Sequence, residues 1–227
     1  MAKINKESSE PKANVAEALS KTEMFFEKNK KTIGYVVGGL IVLAALIFVY
    51  RNFIVIPKQK EAANQLYVAE RYFKLDSFAL ALNGDGNSLG LKQIIDKYGK
   101  KAGMAAYYDA GVCCLRLGEN DQAIEYLKKF SSSDRIIAAK AKCCIGDALV
   151  NKDDIKGAVS WFEEAAELSN NIFSAGYLLK AGICYEELGD YGKALGCYNK
   201  IKNEFAQSPE GQEIDKYISR VEALGAK

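Results

Sequence analysis

The sequence predicts an all-α protein, a helical solenoid standing behind one membrane-crossing helix. Three observations carry this: an uncharged apolar run at residues 32–50, helical hydrophobic spacing through most of the remaining chain, and a motif that recurs three times at intervals of 35 and 36 residues. Apolar residues at a helical period define amphipathic helices, and a period near 34 built from helix pairs is the mark of a solenoid.

The run 32–50 reads TIGYVVGGLIVLAALIFVY, with eleven Ile, Val, Leu or Phe residues and no charge. Nineteen residues at about 1.5 Å of rise cover roughly 28 Å, close to the ~30 Å hydrocarbon core. Asn52, Phe53, Ile54, Val55 and Ile56 extend the span to residues 32–56 if the helix tilts. A cleaved signal peptide fits poorly, since its apolar core is about 7 to 15 residues and ends in a small-x-small exit. Here 31 residues precede the run, and it leaves through Ile47, Phe48, Val49 and Tyr50. Gly34 and Gly38 form a GxxxG pair, a spacing that lets two membrane helices approach and so predicts weak self-association.

Before the span, residues 1–13 are polar and read as unstructured, and residues 14–26 carry an apolar face of Val15, Ala18, Leu19, Thr22, Phe25 and Phe26. Residues 1–31 thus form a tail with a short amphipathic helix. Lys12, Lys21, Lys28, Lys30 and Lys31 flank the span on this side, against Arg51, Lys58 and Lys60 on the other. The excess places the N-terminus in the cytoplasm and the rest outside.

The 170 residues from Lys58 to Lys227 hold 23 Lys plus Arg and 24 Asp plus Glu, a near-neutral mixture without the basic stripe that nucleic acid requires. The chain has no histidine, which removes Ser-His-Asp and Cys-His catalysis and His-based zinc sites. Neither GxGxxG nor GxxxxGK[ST] occurs, so no nucleotide cofactor is implied. No metal or other cofactor is called for, and a non-enzyme is expected. Asn83, Asp85 and Asn87 have the spacing that opens a calcium loop, but Ser88 and Ile94 stand where Gly and Glu are required, leaving a plain loop. Six cysteines fall within predicted helices without a CxxC spacing and read as small buried hydrophobes; one bridge from the Cys113 region to the Cys143 region stays open.

From residue 102 on, three segments align: YYDAGVCCLRLGENDQAIEYLKKF, KCCIGDALVNKDDIKGAVSWFEEAA and LLKAGICYEELGDYGKALGCYNKI. Gly111, Gly146 and Gly182 form one small-residue column, and Ala123, Ala158 and Ala194 a second with the same two intervals. Small side chains here bring the two helices of a repeat together, with Leu127, Phe162 and Tyr198, four residues after each Ala, filling the space beside them.

These columns resemble the tetratricopeptide repeat, which places Gly and Ala twelve apart and an aromatic four beyond the Ala. The third repeat matches best, through Gly182, Tyr185, Gly189, Asp190, Tyr191, Ala194 and Tyr198. The resemblance divides the soluble part into a degenerate leading repeat at residues 57–103, three repeats at 104–209 and a closing helix at 210–227. It implies a concave face, built from the first helix of each repeat, that binds protein or peptide partners. Carried over position by position, that face comprises Tyr108, Val112, Leu115 and Arg116, then Asp147 and Asn151, then Leu179, Ile183, Glu186 and Glu187. Lys140, Cys143 and Val150 also fall on it. The Lys and Asn of the family's carboxylate clamp are missing, since Tyr108, Val112, Cys143 and Asp147 occupy those positions.

A short tail, one anchor and a repeat domain resemble the ancillary subunits of the bacterial SecYEG translocon. That likeness implies a scaffold in the inner membrane, with its repeats in the periplasm, whose partners are the translocon, a chaperone or a translocating client. An organelle import receptor facing the cytosol and a scaffold of another envelope complex are the alternatives.

Overall fold

The computed structural model describes the backbone of residues 10–226, and side chains from residue 24 onward apart from Phe25 and Phe26. The tail 1–9 and the predicted apolar face of residues 14–26, Phe26 included, lie outside the described residues and side chains. The described chain is helical and divides into two compact units, Met1–Pro57 and Lys58–Lys227.

In the first unit, α1 runs over Glu10–Tyr50 without a break, so the backbone predicted to be unstructured up to residue 13 is already helical from Glu10. Pro11 sits in the first turn, where its missing N–H costs no hydrogen bond. The stretch is long and apolar enough to cross a membrane, and none of its most apolar window is buried. A π turn, Arg51–Val55, comes next, closed by the Ile56 N–H donating to the Arg51 carbonyl. The helix α2, Ile56–Lys74, begins there with Pro57 in its first turn. Proline cannot donate to the preceding turn, and the wider π turn absorbs that loss.

The second unit continues from α2. Ala62, Leu66 and Ala69 are its buried stripe, and Ala63 beside them is exposed. Two short helices succeed it, α3 (Phe78–Asn83) and α4 (Leu91–Tyr98). The loop between them is held by Asp85, whose carboxylate accepts from the backbone of Asn87 and Ser88 and from the Tyr72 hydroxyl at 2.8 Å.

Three helix pairs make the array: α5 (Met104–Arg116) with α6 (Asn120–Lys129), α7 (Arg135–Val150) with α8 (Ile155–Ser169), and α9 (Ser174–Glu187) with α10 (Tyr191–Glu204). The last helix, α11 (Pro209–Gly225), packs on α10 and α9. Asp134, Asp154, Asp190 and Ser208 cap α7, α8, α10 and α11 by accepting from backbone N–H groups of their first turns, each cap being worth about 1 kcal/mol. The turn inside each pair needs a left-handed residue. Gly118 and Gly189 supply it in the first and third repeats at φ of 78° and 75°, and Asp153 takes the role in the second at 60°.

Each pair closes through the small-residue columns. A Cβ on Gly111 would stand 2.5 Å from Leu127 Cγ, one on Gly146 2.5 Å from Phe162 Cε1, and one on Gly182 would run into the Tyr198 ring. Ala123, Ala158 and Ala194 are fully buried on the facing helices. Burying a side chain such as Phe162 contributes about 2 to 3 kcal/mol, and it does so only because the opposing helix carries no side chain there.

Candidate protein-binding groove

Of the first helices of the repeats, α5 packs on α7, and α9 reaches α7 through Lys180 and Asp147; the predicted face takes the fifth, ninth, twelfth and thirteenth repeat positions along them. Tyr108 is wedged rather than free. Its ring centroid lies 5.3 Å from that of Phe130, and it packs on the cluster of Leu127, Ala141 and Ile145. Burial, then Cys144 and Asp109, push its hydroxyl far above the ordinary tyrosine pKa. Val112, Leu115 and Leu179 are half-buried, Ile183 is 41% exposed, and Arg116, Asn151 and Glu187 stand in solvent. These side chains form a half-exposed apolar strip edged by polar groups.

Three of the predicted positions carry internal bonds. Asp147 Oδ1 accepts from Lys180 Nζ at 2.5 Å, joining α7 to α9. Burial opposes the Lys180 charge, but Cys143 and Asp147 outweigh it and raise its pKa. Asn151 Nδ2 donates to Asn120 Oδ1 at 3.2 Å across the turns of neighbouring repeats. Glu186 departs furthest from a groove role. Its carboxylate is gripped by Arg220 of α11 through Nη2 at 2.7 Å and Nε at 3.0 Å, and it accepts from the hydroxyl of the buried Tyr198. Burial and the bond to Glu186 hold Tyr198 protonated.

Position-by-position reading missed the sixth position of each repeat, which reaches back to the first helix of the repeat before it. Lys180 meets Asp147 in this way, and Cys144 meets Tyr108 and Arg116. Asp109 faces Glu70 and Lys74 of α2 and accepts no hydrogen bond among the described residues; burial and then Glu70 push its pKa up to about 6, with Lys74 acting against them. Charge at this position was the available signal in Asp109 and Lys180.

All six cysteines are free thiols, five buried and Cys144 half-buried. Burial is the main cause raising each of them, Cys113 and Cys143 to about 12 and Cys144 to about 11, so none is poised as a nucleophile. Among the described residues no group of His, Cys, Asp or Glu is arranged to hold a metal ion. An open depression of about 770 Å³ lies between the α9–α10 turn, the start of α10 and the end of α11, lined by Leu188, Tyr191, Leu195, Val221 and Gly225.

Tetratricopeptide-repeat family models match residues 105–136, 139–172 and 177–208. The array α5–α10 is a helical solenoid similar to tetratricopeptide repeats, a fold whose members generally bind protein partners. Two solved structures share it. A crystal structure of MamA protein has a TM-score of 0.52 and 18% identity, covering 74% of this chain and 89% of that one. A second MamA crystal structure has a TM-score of 0.50 and 20% identity, covering 70% of this chain and 95% of that one. At these identities the likeness is one of fold. No curated protein matches the chain in sequence.

Proposed function

We propose that the protein is a membrane-tethered scaffold whose first-helix face holds an extended or helical segment of a partner protein, with no chemistry of its own. The observation that carries this is the strip of Val112, Leu115, Leu179 and Ile183, apolar yet incompletely buried, edged by Arg116, Asn151 and Glu187. Apolar anchors with a polar rim are what a protein-binding surface needs. The span at 32–56 concentrates the scaffold at the bilayer, so that even a weak groove acts on partners arriving there. The lysine excess before the span supports a cytoplasmic N-terminus and an extracytoplasmic scaffold in a bacterial inner membrane, beside the translocon, where chaperones or emerging clients are the partners. Six unbridged cysteines favour a second reading, a scaffold facing the cytosol.

Crosslinking in intact membranes, followed by purification in mild detergent, tests the groove. The double variant Leu179→Ala with Ile183→Ala should lower partner crosslinking about tenfold while the domain stays folded at the assay temperature, Leu179 also packing on the core and so costing roughly 2 to 8 °C of melting temperature. Unchanged crosslinking moves the binding site elsewhere. A reporter active only outside the cytoplasm, fused after Lys227, separates the two orientations.

A further inference from the structure

Within the unit Lys58–Lys227, the first helices of all repeats begin along one edge. Near the start of α2, Glu61 accepts from Tyr98 at 2.7 Å and Lys97 at 3.2 Å, the residues that end α4 and lead into α5. At the start of α5, Met104 Sδ accepts from Ser131 Oγ of the α6–α7 connection at 3.6 Å. Arg135, opening α7, donates through Nε to the Leu168 carbonyl at the end of α8 at 2.8 Å. A Cβ on Gly176, near the start of α9, would meet Glu210 of α11 at 3.2 Å. The opposite edge carries the turns inside each pair, linked by Asn151–Asn120 and Lys152–Asp121.

The first edge exposes large apolar side chains with no core to serve. Ile136 and Ile137 are 45% and 42% exposed, Ile172 and Phe173 50% and 56%, and none of the four belongs to a hydrophobic cluster. The Arg135–Leu168 bond holds the two pairs near each other. Their tip is fixed, because Asn171 Oδ1 accepts from the Phe173 N–H and from Ser169 Oγ, each at 2.9 Å. The opposite edge exposes Leu75, Leu117 and Leu188 as well, one to a turn, so the edges differ in the pairing of their apolar side chains and in charge. The turns of the opposite edge hold Asp76, Glu119, Asp153, Asp154 and Asp190 against Lys152, whereas the connections of the first edge hold Lys100 and Lys101 against Asp134. Lys58 and Lys60 open α2 on that same edge. The chain passes from the apolar span into the domain at Pro57 and Lys58, three residues before Glu61.

We infer that this edge is a second membrane contact: Ile136, Ile137, Ile172 and Phe173 enter the interfacial region of an anionic bilayer, with Lys58, Lys60, Lys100 and Lys101 at its phosphates. The inference rests on the reading of residues 32–56 as a span. Apolar tips beside lysines bind anionic interfaces by partition and charge together. The acidic opposite edge faces away from the same phosphates. Because the span already holds the domain within reach, a contact too weak to bind a free protein suffices.

The test uses the full chain in nanodiscs of phosphatidylcholine with phosphatidylglycerol, carrying bromine on the acyl chains. In a Trp161→Phe background, the tryptophan introduced by Phe173→Trp should lose at least about half its emission relative to unbrominated discs, while one introduced by Leu188→Trp on the opposite edge keeps its emission. Deuterium uptake of the unaltered chain gives a second reading without substitution: residues 134–138 and 170–175 should be protected when phosphatidylglycerol is present and less so in phosphatidylcholine alone, with 188–191 unchanged. A chain that alkaline washing strips from vesicles overturns the span and this inference together. An embedded chain with equal emission at both sites and no lipid-dependent protection overturns this inference alone. Protection without quenching assigns the edge to a second copy of the chain, which also overturns it.

Discussion

A Cβ placed on Gly146 would stand 2.5 Å from Cε1 of Phe162, a ring only 1% exposed and so without room to retreat. Gly146→Ala should therefore destabilise the domain by about 1 to 2 kcal/mol, overpacking outweighing the ~1 kcal/mol that alanine gains in a helix. In a domain of this size that lowers the melting temperature by roughly 2 to 8 °C. Gly196, also helical but with nothing within 4 Å of where its Cβ would stand, is the control, and Gly196→Ala should raise the melting temperature.

Asp109 gives a dependence on pH. Its folded pKa, about 6, stands above the ordinary carboxylate value because burial and Glu70 disfavour the charge, with the Lys74 cation acting against them. A carboxyl raised in the folded state binds more protons folded than unfolded, so its contribution to stability is greatest below pH ~4 and falls as pH rises through about 6. Asp109→Asn removes the effect. The variant should be more stable than the parent at pH 7.5, by on the order of 1 to 2 kcal/mol after allowance for solvent screening, with the gap closing by pH 4. Parallel melting curves across that range decide it, and a constant gap would locate the effect elsewhere.

The solenoid was legible because its signal lies in columns. Gly182 and Tyr198 belong to positions that recur at fixed intervals, and a contact that every repeat must make leaves the same residue type in every repeat. The sixth position leaves no such trace. Asp109, Cys144 and Lys180 share a direction but no chemistry, so nothing in the sequence marks them as one layer. The role of Glu186 stayed hidden for a related reason: a position within one helix says which face a residue is on, and Arg220, its partner, lies 34 residues further along on α11. The exposed edge at Ile172 and Phe173 was equally hidden, because apolar residues in a short connection read as core until the backbone shows that no core lies beneath them.

The thiols should be nearly inert in the folded protein. With Cys114, Cys184 and Cys197 raised to about 11 by burial and Cys113 and Cys143 to about 12, the thiolate fraction at pH 8 is at least about 100-fold below that of a free cysteine. Titration with a disulfide reagent should show slow reaction led by the half-buried Cys144, and six thiols once denaturant is added. Four thiols after denaturation would reveal a bridge.

Glu186 and Glu187 adjoin in sequence and separate in role. The Glu186 side chain is 12% exposed, held bidentate by Arg220 and bonded to a buried Tyr198 hydroxyl, whereas Glu187 is exposed on the face assigned to partners. Glu186→Ala strands that hydroxyl and releases α11 from α9, which should cost about 2 to 3 kcal/mol. Arg220→Ala leaves the hydroxyl its acceptor and, with Arg220 half-exposed, should cost no more than ~1 kcal/mol. The double variant should then be little worse than Glu186→Ala alone, the non-additivity expected of groups in one network. Glu187→Ala should leave melting unchanged and lower partner crosslinking. If Glu186→Ala melts like the parent yet loses crosslinking, the carboxylate serves the partner and not α11, and the division drawn between these two neighbours is wrong.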